Sequence, residues 1–224
     1  MSFILAIDGT SGSGKSTTAR MVAERLGWFY LDTGATYRAI TYEILRRGID
    51  PEDENRVTQT LENLELDVRI EKRVQRTYIN GKDITDYLRK PNIDRAVTPI
   101  SKMKVVRKYL VMLQRKIAEN RDIVVEGRDI GTVVFPNANL KIFMDAKPLI
   151  RARRRRKQIR NQKDLDSIKK DLLRRDHHDS KRKESPLKRA KDALILDTTS
   201  LTIKEQVDWV INKIKQLDES ITPV

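Results

Sequence analysis

Residues Gly9-Thr10-Ser11-Gly12-Ser13-Gly14-Lys15-Ser16 fit the pattern G-x-x-x-x-G-K-[ST] without a mismatch. The flanking sequence is what that pattern needs. The apolar run 3–7 reads as a strand buried on both faces and ends at Asp8, while residues 15–26 have helical period and stop at Gly27. A buried strand that turns through three glycines into a helix predicts an α/β fold with a phosphate-binding P-loop. Gly9, Gly12 and Gly14 let the backbone wrap closely and point N–H groups at phosphate oxygens. The following helix adds the positive end of its dipole. Residues 9–17, Thr10, Ser11, Ser13 and Thr17 included, form the expected ATP-binding segment. Lys15 is expected on the β- and γ-phosphates, and Ser16 offers its hydroxyl to Mg²⁺.

The rest of the chain carries the same architecture. Short β-branched runs at 29–31, 123–125, 140–144 and 194–196 alternate with helical stretches, predicting a five-stranded parallel sheet flanked by helices. Asp50 and Pro51 read as the N-cap and first residue of a helix. Residues 66–71 and 74–79 instead alternate apolar and polar side chains, and Asn80-Gly81 after them is a turn signal, together the texture of a small antiparallel sheet. The expected division is a core of 1–34 and 92–224 with residues 35–91 inserted. Helical period resumes over 93–120, and the last helix is expected at 202–217.

Composition narrows the setting. The 224 residues include no cysteine, which excludes disulfides and thiolate metal sites. Apolar runs are too short to span a bilayer and Met1 leads directly into the first strand, so no signal peptide or membrane contact is expected and a cytoplasmic setting is the plain reading. A net charge of +14 points to anionic partners, either polyphosphates or nucleic acid. Aromatic residues are only 5%, which leaves few bases-stacking side chains, so no specific nucleic acid is expected. A monomer is the default.

Among P-loop proteins, hydrolases need a positioned water, and helicases need a second motor domain. This chain instead places arginines at strand ends and in loops, which suits two polyphosphate ligands brought together against their repulsion. Four blocks make the comparison specific: GTSGSGKST at 9–17, LDTGATYR at 31–38, EGRDIGTVVFP at 126–136 and RDHHDSKR at 175–182, with ALILD at 193–197 beside them. In this order they resemble the bacterial cytidylate kinases over nearly the whole chain. The resemblance implies ATP-dependent phosphorylation of CMP and dCMP on a P-loop core, with an inserted monophosphate-binding domain and a helical lid at about 148–185. That family more often has Ser at Thr33, Pro at Thr10 and Ala at Ser13; the hydroxyl is kept at Thr33, and the other two side chains are not needed by the phosphates.

The same resemblance implies residue roles. Thr33, Gly34, Tyr37 and Arg38 surround the CMP, with Arg38 on its phosphate, although Tyr37 also fits the core face of an amphipathic helix. Arg128 and Asp129 follow a buried strand, where open α/β sheets bind ligands; Arg128 suits a phosphate and Asp129 the ribose hydroxyls. Thr98 and Arg107 face the base. Asp179 is the matched acceptor for the N4 amino group of cytosine and Arg107 the donor. Arg175, Asp179 and Arg182, spaced by four and three, share a helical face if their segment is helical. Of the run 151–157, Arg151 and Arg155 on one face are expected on ATP phosphates. Lys15, Arg128, Arg175, Arg151 and Arg155 form the catalytic set. A UMP- or AMP-preferring kinase and an RNA-binding P-loop ATPase are the competing readings. His177 and His178 have no partner set for a metal.

Overall fold

The computed structural model of the protein describes residues 2–71, 74–159, 164–219, 221 and 223, with the backbone alone at Ile159. Of the lid expected at 148–185, residues 160–163 lie outside those described. In chain order the elements begin with β1 (Ile4–Gly9), α1 (Lys15–Leu26), β2 (Phe29–Asp32), α2 (Thr33–Arg46) and α3 (Glu54–Glu62). Then come β3 (Leu66–Glu71), β4 (Val74–Ile79), β5 (Lys82–Asp83), α4 (Pro91–Lys102) and α5 (Lys104–Ala118). The chain ends with β6 (Ile123–Gly127), β7 (Leu140–Asp145), α6 (Pro148–Ile159), α7 (Leu165–Ser180), β8 (Leu194–Asp197) and α8 (Ile203–Leu217).

Two compact units result, one of residues 1–30 with 120–224 and one of residues 31–119. The first is built on a five-stranded sheet of order β2-β6-β1-β7-β8. Strand β1 pairs in parallel with both β6 and β7, and β7 with β8, as the apolar runs predict. Leu5, Ile7, Val124 and Ile142 are buried in a cluster completed by Val22 and Leu26 of α1 and Val207, Val210 and Ile214 of α8. Each large apolar side chain so buried contributes about 1.5–3 kcal/mol. Helix α8 opens with a capping box: Thr202 Oγ1 accepts from the Glu205 N–H, and Glu205 Oε2 accepts from the Thr202 N–H. The registers Asp8 to Gly127 and Gly9 to Met144 bring the carboxyl ends of β1, β6 and β7 to one edge. That edge holds the P-loop.

The second unit has a three-stranded antiparallel sheet of order β3-β4-β5 with helices α2 to α5. Asn80 and Gly81 both have positive φ, 48° and 76°, as a tight hairpin turn requires. The helices after Pro91, assigned to the core from sequence, cluster here instead. Ile100 of α4 and Val106 and Leu110 of α5 share one apolar cluster with Ile40, Ile44, Val57 and Leu66.

Two local expectations are corrected. The helix expected to start at Pro51 starts at Glu54, because the Asp53 side chain caps it by accepting from the Arg56 N–H. Asp50 accepts from the Glu52 N–H and closes a turn of its own. The helical stretch over 93–120 is two helices, since Met103 is extended at φ −65° and ψ 126°.

Candidate active site

The P-loop is held from three sides within the first unit. Gly9, Gly12 and Gly14 have φ of +146°, +79° and +102°, which explains why glycine stands at all three. Thr10 Oγ1 donates to Asp145 Oδ1 at 2.6 Å, fixing the loop's start to the end of β7. The Ser11 N–H donates to Asp176 Oδ1 at 2.9 Å, and the Ser11 carbonyl accepts from Arg151 Nη1 at 3.0 Å. Farther along, the Ser13 carbonyl accepts from Arg154 Nη1 at 3.2 Å and from Thr198 Oγ1 at 2.7 Å. Helix α1 begins where the Thr17 and Thr18 N–H groups both donate to the Gly14 carbonyl. Gly14 offers no side-chain cap, so the first turn keeps N–H groups for an anion. Ser16 and Thr17 are half-buried on that turn.

Lys15 curls back, its Nζ donating to the Thr10 carbonyl at 2.7 Å, and is only 4% exposed. Burial pushes its ammonium down, and Arg128 pushes it further. Glu126, Asp176 and Asp8 pull it back, leaving a pKa of about 7. Asp8 is the mirror case. Burial raises it, the N–H groups of Gly131 and Ile130 lower it, Asp129 raises it and Lys15 lowers it, to about 6. Its two oxygens accept from the Ile130 and Gly131 N–H groups, both at 2.8 Å, and so hold the single π-helical turn Ile130–Val134 that follows Arg128 and Asp129.

Arg128 Nε donates to Asp179 Oδ2 at 2.8 Å, and Arg182 pairs with the other Asp179 oxygen. Burial pushes the Asp179 carboxyl up, but Arg128 and Arg182 outweigh it and hold it below its ordinary value. Helix α7 ends at Ser180, so Arg182 reaches Asp179 from just beyond the helix rather than from its face. Asp129 is buried, with its carbonyl accepting from Val133 and Val134. Arg175 is half-buried on α7 between Arg174 and Asp176. Arg151 is buried, donating to Ser11, Ala146 and Asp176. Arg155 is half-buried, whereas Arg153, Arg156 and Lys157 are exposed, as expected for a run spread around a helix. His177 and His178 are exposed.

In the second unit, Thr33, Gly34, Tyr37 and Arg38 lie on the first turns of α2, which Asp32 caps by accepting from the Ala35 N–H. Arg38 Nε pairs with Asp94 of α4 at 3.1 Å. The Arg107 guanidinium of α5 lies 5.5 Å from the centroid of the Tyr37 ring, and its Nη1 donates to the Ser101 carbonyl. The Thr98 carbonyl accepts from Ser101 Oγ. This unit therefore joins Tyr37 to Arg107 and adds Asp94 and Asp32, which sequence reasoning missed. Asp8 and Asp176 are the corresponding omissions in the first unit. Both stand inside or beside motif blocks, and that adjacency was the only signal for them.

A glycine-built phosphate loop at the carboxyl edge of a five-stranded parallel sheet makes this a P-loop nucleotide-binding protein. Solved structures of the same fold include an uncharacterized protein from Eubacterium ventriosum, with a TM-score of 0.53 at 13% identity, covering 95% of this chain and 98% of that one. A gluconokinase from Sinorhizobium meliloti gives a TM-score of 0.51 at 14% identity, covering 97% and 94%. The family model for cytidylate kinase matches residues 5–216. A cytidylate kinase from Fusobacterium nucleatum is 43% identical over 217 residues, 96% of this chain and 98% of the relative. One from Thermotoga sp. is 42% identical over 220 residues, 96% and 98%. The chain belongs to the cytidylate kinase family, and it is a nucleoside monophosphate kinase. No helix among the described residues is long and apolar enough to cross a membrane.

Proposed function

We propose that this enzyme transfers the γ-phosphoryl group of ATP to CMP and dCMP by direct in-line attack, giving CDP and dCDP. The observation that carries the reading is the gathering of cations around Asp179. Arg128 and Arg182 both pair with it, and Arg128 is close enough to depress Lys15 beside the P-loop. Such a cluster suits a second phosphate brought beside a bound triphosphate. The acceptor oxygen is already ionised at neutral pH, so no general base is needed. Catalysis rests on alignment and charge neutralisation by Lys15, Arg128, Arg175 and Arg155. Arg38 and Arg128 take the CMP phosphate, Asp129 the ribose, and Thr33, Gly34, Tyr37, Thr98, Arg107, Asp179 and Arg182 the rest of the nucleotide.

Mg²⁺ fits this site as a companion of the triphosphate. Among the described residues no group of three His, Cys, Asp or Glu side chains could hold a metal unaided. Magnesium bound mainly by phosphates and water needs only the Ser16 hydroxyl from the protein. When bound, it would neutralise charge on the β- and γ-phosphates.

The decisive assay is ADP release from ATP with CMP, dCMP, UMP, AMP and GMP supplied in turn. Stimulation by CMP and dCMP is expected. A preference for UMP or AMP, or hydrolysis stimulated by RNA without transfer, would overturn the proposal. Replacing Asp179 by alanine should lower the CMP-to-UMP ratio of kcat/KM by about tenfold or more. Uracil presents O4 where cytosine presents its amino group, so the carboxylate rejects it by placing two acceptors face to face. An unaltered ratio removes Asp179 from base recognition.

Lys15 also predicts a proton linkage. With a pKa of about 7 before ATP binds, it is mostly neutral at pH 8. The triphosphate restores its charge, so ATP binding at pH 8 should take up about one proton. Calorimetry in buffers of different ionisation enthalpy measures this uptake, and a Lys15→Gln variant should lose it. Zero uptake in the unaltered enzyme would contradict the assignment.

A further inference from the structure

Arg151, expected from the sequence among the catalytic arginines, donates to Ser11, Ala146 and Asp176 and is given no phosphate contact in the transfer described above, where its buried partner Asp176 also has no role. Arg151 is 4% and Asp176 9% exposed. Both bond the backbone of one P-loop residue, Ser11. Asp176 Oδ1 accepts the Ser11 N–H, while Arg151 Nη1 donates both to the Ser11 carbonyl and to Asp176 Oδ2. Arg151 Nε is tied to the Ala146 carbonyl at 2.9 Å, so the guanidinium is fixed on the end of β7 as well. The backbone of α6 comes equally close: a Cβ added at Gly12 would lie 3.3 Å from Arg151 Cβ and from its carbonyl oxygen. Ser11 thus has its donor and its acceptor committed to an ion pair that bridges α6 and α7.

A buried ion pair is seldom retained for stability, since well-packed apolar side chains of similar volume hold two helices as well or better. What apolar residues cannot do is hold the N–H and C=O of a loop residue in one orientation. Helix α7 carries two buried carboxylates toward the P-loop side, Asp176 on Ser11 and Asp179 on Arg128. In the proposed reaction Asp179 must exchange Arg128 for the nucleotide. Asp176 has no such duty.

We propose that Asp176 is a positioning residue for phosphoryl transfer, latching α7 to Ser11 through Arg151. Arg175 and Asp179, one and three residues away on the same helix, then act from a point fixed relative to the triphosphate. This rests on the kinase reading above. Removing the latch leaves Lys15, the glycines and the first turn of α1 to bind ATP, but lets Arg175 lose its alignment and lets water compete.

Asp176→Asn tests it. The amide keeps an oxygen for the Ser11 N–H but turns a donor toward Arg151, breaking the pair at constant volume. The expected result is a fall in kcat on the order of 10²-fold, the usual cost of an ångström-scale misplacement. KM for ATP should change by less than about threefold, and ATP hydrolysis per phosphoryl transfer should rise about tenfold. Arg151→Lys keeps the charge but loses the planar fork, and should give the same split if Asp176→Asn does not fold. The double variant should cost no more than the worse single one, because the two residues act as a unit. Near-normal kcat in either folded variant overturns the proposal. So does a loss of activity that only follows the loss of active sites, with the hydrolysis ratio unmoved. Absence of transfer to CMP by the unaltered enzyme would instead overturn the kinase reading, so the two failures are distinct.

Discussion

Replacing Lys15 by methionine is expected to lower kcat by about 10²–10³-fold, the loss typical of removing one preorganised charge from a transition state. Methionine keeps most of the volume that Lys15 fills beneath the loop and removes only the ammonium. The position is one where charge is held against its surroundings: the side chain is 4% exposed and its pKa is pushed down to about 7. An ammonium kept so poorly solvated gains more from a triphosphate than a surface lysine does, because little water has to leave. The Lys15 Nζ contact with the Thr10 carbonyl at 2.7 Å is lost in the variant, but the loop keeps its ties to Asp145, Asp176 and Thr198. Thermal unfolding should therefore stay within a few degrees of the unaltered protein while turnover collapses. Retention of more than about a tenth of kcat would remove Lys15 from the transition state.

Where structure is set locally, the sequence is a good guide. The P-loop is contiguous, and its glycines declare positive φ without reference to anything distant. Asn80-Gly81 fixes its hairpin in the same way. The central strands β1, β6 and β7 are legible because both faces are covered and the runs are largely apolar, while β8 leaves Leu194 and Ile195 exposed and is legible from its short apolar run alone. Nonlocal information is harder to read. Ile100, Val106 and Leu110 show that α4 and α5 bury a face, but not that the partner is the cluster around Ile40 and Val57. Asp50 and Asp53 are equally plausible caps, and the choice turns on which N–H each reaches. The carboxylates that shape the candidate site were missed for the same reason. Asp176 meets Ser11 across 165 residues, and Asp8 meets Ile130 and Gly131 across 122 and 123. Beside Arg175 and Asp179, Asp176 looks like one more charge on a helix. Only its burial and its single backbone partner set it apart.

Gly9→Ala should be the most damaging methyl addition among the three P-loop glycines. At φ +146° an alanine is strained whatever space surrounds it, and here there is none. The added Cβ would lie 1.9 Å from the Met144 carbonyl oxygen and 2.8 Å from its carbon. Those are backbone atoms of β7, paired with Gly9 in the central sheet, so no side chain can rotate away to make room. Relief requires β1 and β7 to part where they carry the loop, which also breaks the Thr10 N–H bond to the Met144 carbonyl. Overpacking and backbone strain together should cost about 3–5 kcal/mol. For a chain of this size that lowers Tm by about 10 °C or more. Gly48→Ala is the matched control: φ is +66° but nothing lies within 4 Å, so only the strain, about 1 kcal/mol, should appear. Thermal unfolding with and without ATP separates the two effects. Gly9→Ala should lose both the baseline Tm and the stabilisation by ATP, because the loop that receives the phosphates is displaced with the strand ends. Gly48→Ala should keep the full ATP shift. Equal Tm values for the two variants would show that the close approach of Gly9 to β7 does not constrain the loop.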